Sequence, residues 1–286
     1  MRKVAVVADS TCCLPPEVVE KYDICVVPLQ IVHEGKSYRD GVDITPNEVY
    51  KIMRKKENLP TTSTASAGDF LDAYRQMSQK AESILCITLT GLQSKTFEAA
   101  VTAKEIAKEE LPNTIIEAFD SRSVAGALGF IALEAARFAS RGAGLAEVIE
   151  VARNMMGRVN FLAMLDTLYY LARLGRVARA AAWAGNMLDM KPVLEHSPAV
   201  GETMPVARPR TRRRAIERML QIMSDRTKGS VVHVMVQHAD ELDEAKKLAT
   251  EIESQFNCVE MYITEFTPVM GVHTGPGLLA IGFYTD

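Results

Sequence analysis

Ser83–Ile–Leu–Cys–Ile–Thr–Leu89 is a nearly unbroken apolar run that leads into Thr90–Gly–Leu–Gln–Ser94 and a helical pattern starting at about Thr96. An apolar run without polar alternation marks a strand buried on both faces, as in a parallel sheet covered by helices. The same order of strand, hydroxyl-bearing turn and helix recurs on either side. Upstream, residues 4–8 end in Asp9, Ser10 and Thr11; downstream, residues 113–119 end in Asp120, Ser121, Arg122 and Ser123. Thr45 before Pro46, and Ser66, are N-cap signals for helices carrying Val49, Ile52 and Met53 and then Phe70, Leu71, Tyr74 and Met77. Residues 24–32 read as one strand returning through a Gly-containing turn, and Thr61, Thr62, Ser63 and Thr64 as four consecutive hydroxyls on a loop. Strands alternating with helices predict a parallel α/β sheet.

Helical spacing at Leu145, Val148, Ile149, Ala152, Met155 and Met156 stops near Gly157, which places a domain boundary there. The expected organisation is two domains, an N-terminal parallel-sheet α/β domain over residues 1–157 and a C-terminal α+β domain over 158–286, with a ligand between them. In the second part, residues 161–165 read as a strand and 167–171 as a short helix. Residues 191–195 and 204–208 read as an antiparallel pair around Gly201 and Glu202. A helix capped by Thr211, a strand over 230–237, a helix over 242–256 and a strand over 259–263 follow. The chain then runs through Gly271–Val–His–Thr–Gly–Pro–Gly277 into the apolar strand pattern of residues 278–284. Three glycines and a proline predict a shaped loop for residues 271–277, holding His273 in place.

The 286 residues are 48% hydrophobic and 24% charged, ordinary values for a globular protein with a core. Lys and Arg total 33 against 36 Asp and Glu, and a net charge of −3 gives no global attraction to nucleic acid or anionic membranes. The five cysteines have no metal-ligand spacing, and Cys12 and Cys13 are neighbours. Cys25, Cys86 and Cys258 sit in or beside apolar runs, where a reduced thiol behaves as a small hydrophobe, which fits a reducing compartment. The apolar stretch at the N-terminus is too short for a signal peptide, and no segment approaches the roughly 18 apolar residues of a spanning helix. A cytoplasmic location is expected.

In a parallel sheet, ligands bind beyond the carboxyl ends of the strands. Ser10 and Thr11, Thr90 and Ser94, Ser121 and Ser123, with Thr62 and Ser63, make a candidate mouth of neutral donors suited to a carboxylate or phosphate. Each hydroxyl could instead simply cap its own helix. One carboxylate per strand end, Asp9 and Asp120, is thin for a metal site, and no metal is expected. Phosphate-binding glycine loops and a Gly-x-Ser-x-Gly elbow are missing from the sequence. His33, His196, His233 and His238 have no evident partners. The basic run of Arg208, Arg210, Arg212, Arg213 and Arg214, with Arg218 one turn on, reads as a solvated helix start, a docking surface for an acidic protein, or a nucleic-acid contact.

Taken in order, these motifs resemble the DegV family, whose better-known members are the fatty-acid-binding subunits of bacterial fatty acid kinase. The matching stations are Asp9–Ser10–Thr11, Asp40–Gly–Val–Asp–Ile–Thr45, Pro60–Thr–Thr–Ser63, Ile87 to Thr96, Asp120–Ser121, Leu168 to Val177, and Gly271 to Gly277. The resemblance implies a protein that buries a long-chain fatty acid in an apolar tunnel and presents its carboxylate to an ATP-dependent kinase subunit for acyl-phosphate formation. Without its own turnover it would need no cofactor beyond the bound fatty acid. Transient membrane contact belongs to this reading and nucleic acid does not. By analogy Thr62, Ser63, Ser94 and His273 bind the carboxylate, while Arg176 and His273 serve phosphotransfer or docking. Two positions depart from the family pattern, with Lys95 and Leu174 standing where it has glycine. The alternatives are a stand-alone hydrolase or phosphatase using His273, and a nucleic-acid-binding regulator using Arg208 to Arg218.

Overall fold

Two sheets face each other across one buried helix. The computed structural model describes residues 2–176 and 190–286. The first part runs β1 (Arg2–Asp9), a short 3-10 turn (Ser10–Cys12), α1 (Pro16–Tyr22), β2 (Cys25–Val27), β3 (Gln30–His33), β4 (Lys36–Arg39), α2 (Pro46–Arg54) and β5 (Thr61–Ser63). Then come α3 (Ala67–Ser78), β6 (Ala81–Thr88), α4 (Thr96–Glu110), β7 (Ile115–Asp120), α5 (Ala125–Ser140) and α6 (Leu145–Met156). The remainder is β8 (Asn160–Met164), α7 (Tyr169–Arg173), β9 (Val193–Ser197), β10 (Glu202–Ala207), α8 (Arg212–Thr227) and β11 (Val232–His238), followed by α9 (Leu242–Gln255), β12 (Cys258–Glu265), α10 (Pro268–Thr274) and β13 (Leu279–Thr285).

The first sheet has the order β2-β1-β6-β7 and all its pairs are parallel. Both faces are covered, as the unbroken apolar runs require: Ala5, Val7, Ile84 and Cys86 pack with α3 and α4, while Val4, Val6, Leu85 and Ile87 share the core of α5. The second sheet, β10-β9-β8-β13-β11-β12, mixes the β9–β10 hairpin with the parallel β11–α9–β12 crossover. Leu162, Val234, Ile281 and Phe283 on one face pack with α8 and α9. Phe161, Ala163, Leu194 and Ala280 on the other turn toward α5. Alternate residues of each strand therefore serve different layers.

Helix α5 is apolar and buried all round from Ala125 to Leu133, as a helix in the middle layer must be, and carries charge only in its second half, at Glu134 and Arg137. Two glycines let its backbone come close to its neighbours. A Cβ on Gly129 would lie 2.6 Å from the Cys12 carbonyl oxygen, and Gly126 packs directly on Gly282 of β13. The Gly126 N–H also donates to Gln237 Oε1 of β11 at 2.7 Å. One hydrophobic core consequently contains residues of both sheets, from Val4 to Tyr284.

Four local expectations are corrected. Residues 24–32 are two strands in different sheets, because Pro28 has no N–H to continue the ladder. Residues 61–63 form a strand, not a loop, pairing Thr62 with Ile31 of β3 in a sheet of order β4-β3-β5. The short helix expected over 167–171 lies at Tyr169–Arg173, with the Thr167 hydroxyl accepting from the Tyr169 N–H. The loop expected over 271–277 is mostly helix α10, and only its end is a turn. The capping signals at Thr45, Ser66 and Thr211 all bond as expected, the first two in full capping boxes.

Candidate functional site

Helix α10 carries His273 and is held at its start, its side and its end. At its start the buried Asp40 carboxylate accepts from the Val269 N–H at 2.8 Å and from the Ser10 hydroxyl. Along its side Gly271 lies against the Tyr50 ring, where a Cβ would come within 2.7 Å of ring carbon. This close approach explains a glycine inside a helix, which otherwise costs about 1 kcal/mol relative to Ala. At its end Gly275 and Gly277 have φ of +75° and +94°, the conformations that end the helix. Arg212 closes the arrangement by donating to the Gly277 carbonyl and the Asp166 carboxylate, each at 2.8 Å.

This mount aims His273 at β5. Its Nε2 lies 2.9 Å from Thr62 Oγ1, joining residues far apart in sequence. Among the described residues the buried Nδ1 has no hydrogen-bond partner. Burial pushes the imidazole down to about 4, and the nearby Arg176 charge pushes the same way. The ring is therefore neutral near pH 7. An Nε2–H donating to Thr62 leaves only a lone pair unmatched at Nδ1 and frees the Thr62 hydroxyl proton for another acceptor.

Ser94 approaches the same space from the turn before α4. It accepts from the Thr96 N–H at 3.3 Å and shares a 2.7 Å contact with the Thr96 hydroxyl. With Thr96 donating to it, Ser94 keeps its own proton for a ligand. Arg176 follows α7, whose neighbour Arg173 donates to the Pro60 and Leu59 carbonyls and so ties α7 to the entry of β5. Asp40 and Arg173 fall within two of the ordered motif stations, but their contacts are set only by the fold; an Asp-Gly pair reads first as a turn.

Thr62, Ser63, Ser94, Arg176 and His273 all line one cavity of about 550 Å³ between the two sheets. Its inner wall is apolar, with Leu29, Leu89 and Val124 from the first part and Phe161, Leu165 and Leu194 from the second. The cavity thus occupies the middle layer beside α5. The wider hydroxyl mouth does not form. Of the other candidates only Thr11 reaches the wall, while Ser10 is taken up by Asp40, Thr90 donates to the Gly201 carbonyl, the Ser121 hydroxyl bonds the Ser123 backbone, and the Ser123 hydroxyl is buried away from the cavity. Asp9 accepts from the Leu89 and Thr11 N–H groups and the Thr11 hydroxyl, and burial pushes its carboxyl up to about 6. Asp120 accepts from the Gly91 and Arg122 N–H groups.

The two departures from the family pattern cost the backbone little. Leu174 ends α7 at φ −93°, and the left-handed position falls on Gly175 at φ +72°. Lys95 is exposed and pairs with Glu98 at the cavity rim. Val177, the last residue of the Leu168 to Val177 motif, lies outside the described residues. In the basic run, Arg212 is turned inward, while Arg213 is exposed and pairs with Glu217.

The chain matches a family model described as "Uncharacterised protein, DegV family" over residues 3–286. It is 34% identical over 284 residues to a DegV domain-containing protein of Clostridium acetobutylicum, covering 99% of this chain and 98% of that one. It is 33% identical over 280 residues to Protein DegV of Bacillus subtilis, covering 97% and 98%. Among solved structures it resembles a DegV family protein of Thermus thermophilus described for its fatty acid binding, with TM-score 0.90, 28% identity and full coverage of both chains. A stearic acid-binding protein from Eubacterium ventriosum gives TM-score 0.90 at 27% identity, covering 100% of this chain and 98% of that one. With a whole-length family match and relatives above 30% identity over nearly their full lengths, this chain belongs to the DegV family.

Proposed function

We propose that the protein binds a long-chain fatty acid in the cavity between its sheets and presents the carboxylate to a separate ATP-dependent kinase subunit. The observation that carries this reading is the cavity itself, lined by apolar side chains together with Thr62, Ser94 and His273. Its volume falls within the roughly 300–1,000 Å³ of small-molecule sites. Each buried methylene contributes about 0.8 kcal/mol, so a dozen supply roughly 10 kcal/mol before ordering costs are subtracted. That is enough for tight binding without a buried cation. The family's solved members described as fatty-acid-binding support the ligand class.

Carboxylate recognition then falls to the free hydroxyl protons of Thr62 and Ser94, with His273 holding Thr62. In the transfer step a carboxylate oxygen would attack the terminal phosphorus of ATP held by the partner, and ADP would leave. Arg176 supplies positive charge beside that oxygen, as phosphoryl transfer requires. A neutral, weakly basic His273 suits hydrogen bonding better than the general-base role of a stand-alone hydrolase, which works best near the operating pH.

Native mass spectrometry of protein purified from its source tests the ligand: a fatty acid mass adduct is expected, and protein that takes up no fatty acid on incubation would end this reading. Adding the kinase subunit and ATP to lipid-loaded protein tests the partner, with hydroxylamine-trapped acyl phosphate as the expected product. Binding without any product would leave a carrier and remove the kinase.

A further inference from the structure

The turn that carries Ser94 is held by a strap from the other sheet. At the tip of the β9–β10 hairpin, Gly201 sits at φ +72°, a conformation that favours glycine, and a Cβ there would crowd Leu92 and Thr90 at 3.0 and 3.1 Å. Its carbonyl accepts from the Thr90 hydroxyl at 3.0 Å, and the Ala199 carbonyl accepts from Arg122 at 2.9 Å. Residues 90 and 91 are also tied to their own sheet, through the Ser123 carbonyl and Asp120. Further along the turn the hold comes from side chains of the second sheet.

Two of them, His196 and Thr203, form with Gln93 of the turn a chain whose direction can be deduced. His196, only 1% exposed, lies with Nε2 3.0 Å from the Arg122 carbonyl and Nδ1 3.0 Å from Thr203 Oγ1. A carbonyl can only accept, so Nε2 carries the ring proton. Burial pushes His196 down to about 4, so near pH 7 its other nitrogen is an acceptor. Thr203 must then donate to Nδ1, which leaves its oxygen to accept from Gln93 Nε2 at 3.2 Å. Every link is satisfied in one sense only. Gln93, Thr203 and His196 all face the same cavity as Ser94.

We propose that His196, acting through Thr203 and Gln93, is a positioning residue of the ligand mouth: it holds the Ser94 turn closed against the second sheet and so sets how fast a bound lipid leaves. The lipid part rests on the function proposed above, whereas the hold on the turn exists without ligand. The chain should therefore be read by two measurements, amide hydrogen exchange of the ligand-free protein and release of cis-parinaric acid into excess albumin. Thr203→Val keeps the shape of a half-buried side chain and removes the relay. It should speed exchange at residues 91–94 and lipid release by roughly five- to tenfold, the worth of about one hydrogen bond. Thr203→Ser should restore both rates. His196→Asn should act like Thr203→Val, and the double variant should add little to either.

Changes smaller than about twofold, or faster exchange spread evenly over the protein, would overturn the proposal. So would additive effects in the double variant. Failure of cis-parinaric acid to bind the unaltered protein would remove the lipid reading, while amide exchange at residues 91–94 would still decide whether the latch exists.

Discussion

His196 is buried and His273 half-buried, and desolvation keeps both imidazoles neutral near pH 7, with a measurable pH signature. Each is pushed from 6.5 to about 4, so between those values the unfolded chain takes up a proton that the folded protein refuses. Stability contributed by these residues is complete above about 6.5 and is lost as pH falls toward 4, at roughly 1.4 kcal/mol per unit of separation. Asp9 acts in the opposite sense. Its folded carboxyl is raised to about 6 by burial, so the folded protein takes up that proton first and gains stability over part of the same window. In an NMR titration the two imidazole signals should shift only near pH 4; a midpoint near 6.5 for either would contradict its burial. The site residues divide similarly. Thr62→Val and Ser94→Ala should weaken fatty acid retention by roughly tenfold or more, since each removes a hydrogen bond to a charged group. Arg176→Ala should spare binding and abolish acyl phosphate formation. Equal loss of lipid in all three variants would show that this division is wrong.

Helix α10 shows how one element can be placed by contacts from elsewhere. Read locally, residues 271–277 are too rich in glycine for a helix, yet Asp40 caps the start, Tyr50 demands the small residue at 271, and Arg212 ties down the end. Gly271→Ala should raise local helix propensity and still destabilise the protein by roughly 1–3 kcal/mol, because the methyl group meets the Tyr50 ring. Tyr50→Leu should recover part of that loss when combined with it. A thermal melt settles the sign: a stabilised Gly271→Ala variant would mean that the ring yields and that the helix, not the contact, dominates.

At the scale of the molecule, α5 and the cavity share the layer between the sheets, and one core holds residues of both parts. The contacts across this layer are backbone-close at Gly126, Gly129 and Gly282, so neither sheet can separate without exposing α5. Calorimetry should therefore give a single unfolding transition whose van't Hoff and calorimetric enthalpies agree. Two resolved transitions would mean that the sheets are independent domains. Saturating fatty acid should shift that transition upward, by about 2.7 kcal/mol at a hundredfold excess over Kd.

The sequence alone determined the parallel sheet, because strands such as residues 83–89 are apolar on both faces and only helices on both sides can cover them. It also determined the helix starts at Thr45, Ser66 and Thr211, since a cap is a bond between residues three apart. Thr62, Ser94, Arg176 and His273 stood out in the sequence only as candidates within an ordered set of motifs, and the sequence did not show that they line one cavity. Tertiary structure decided that residues 61–63 are a strand, that residues 271–274 are held in helix α10 against Tyr50, and that desolvation favours the neutral form of His273. It also decided which hydroxyls reach the cavity and that His196 braces the wall. Propensity and capping act over a few neighbouring residues. Close approach, desolvation and hydrogen-bond direction belong to groups brought together from distant parts of the chain, and they exist only once the two sheets have closed on α5.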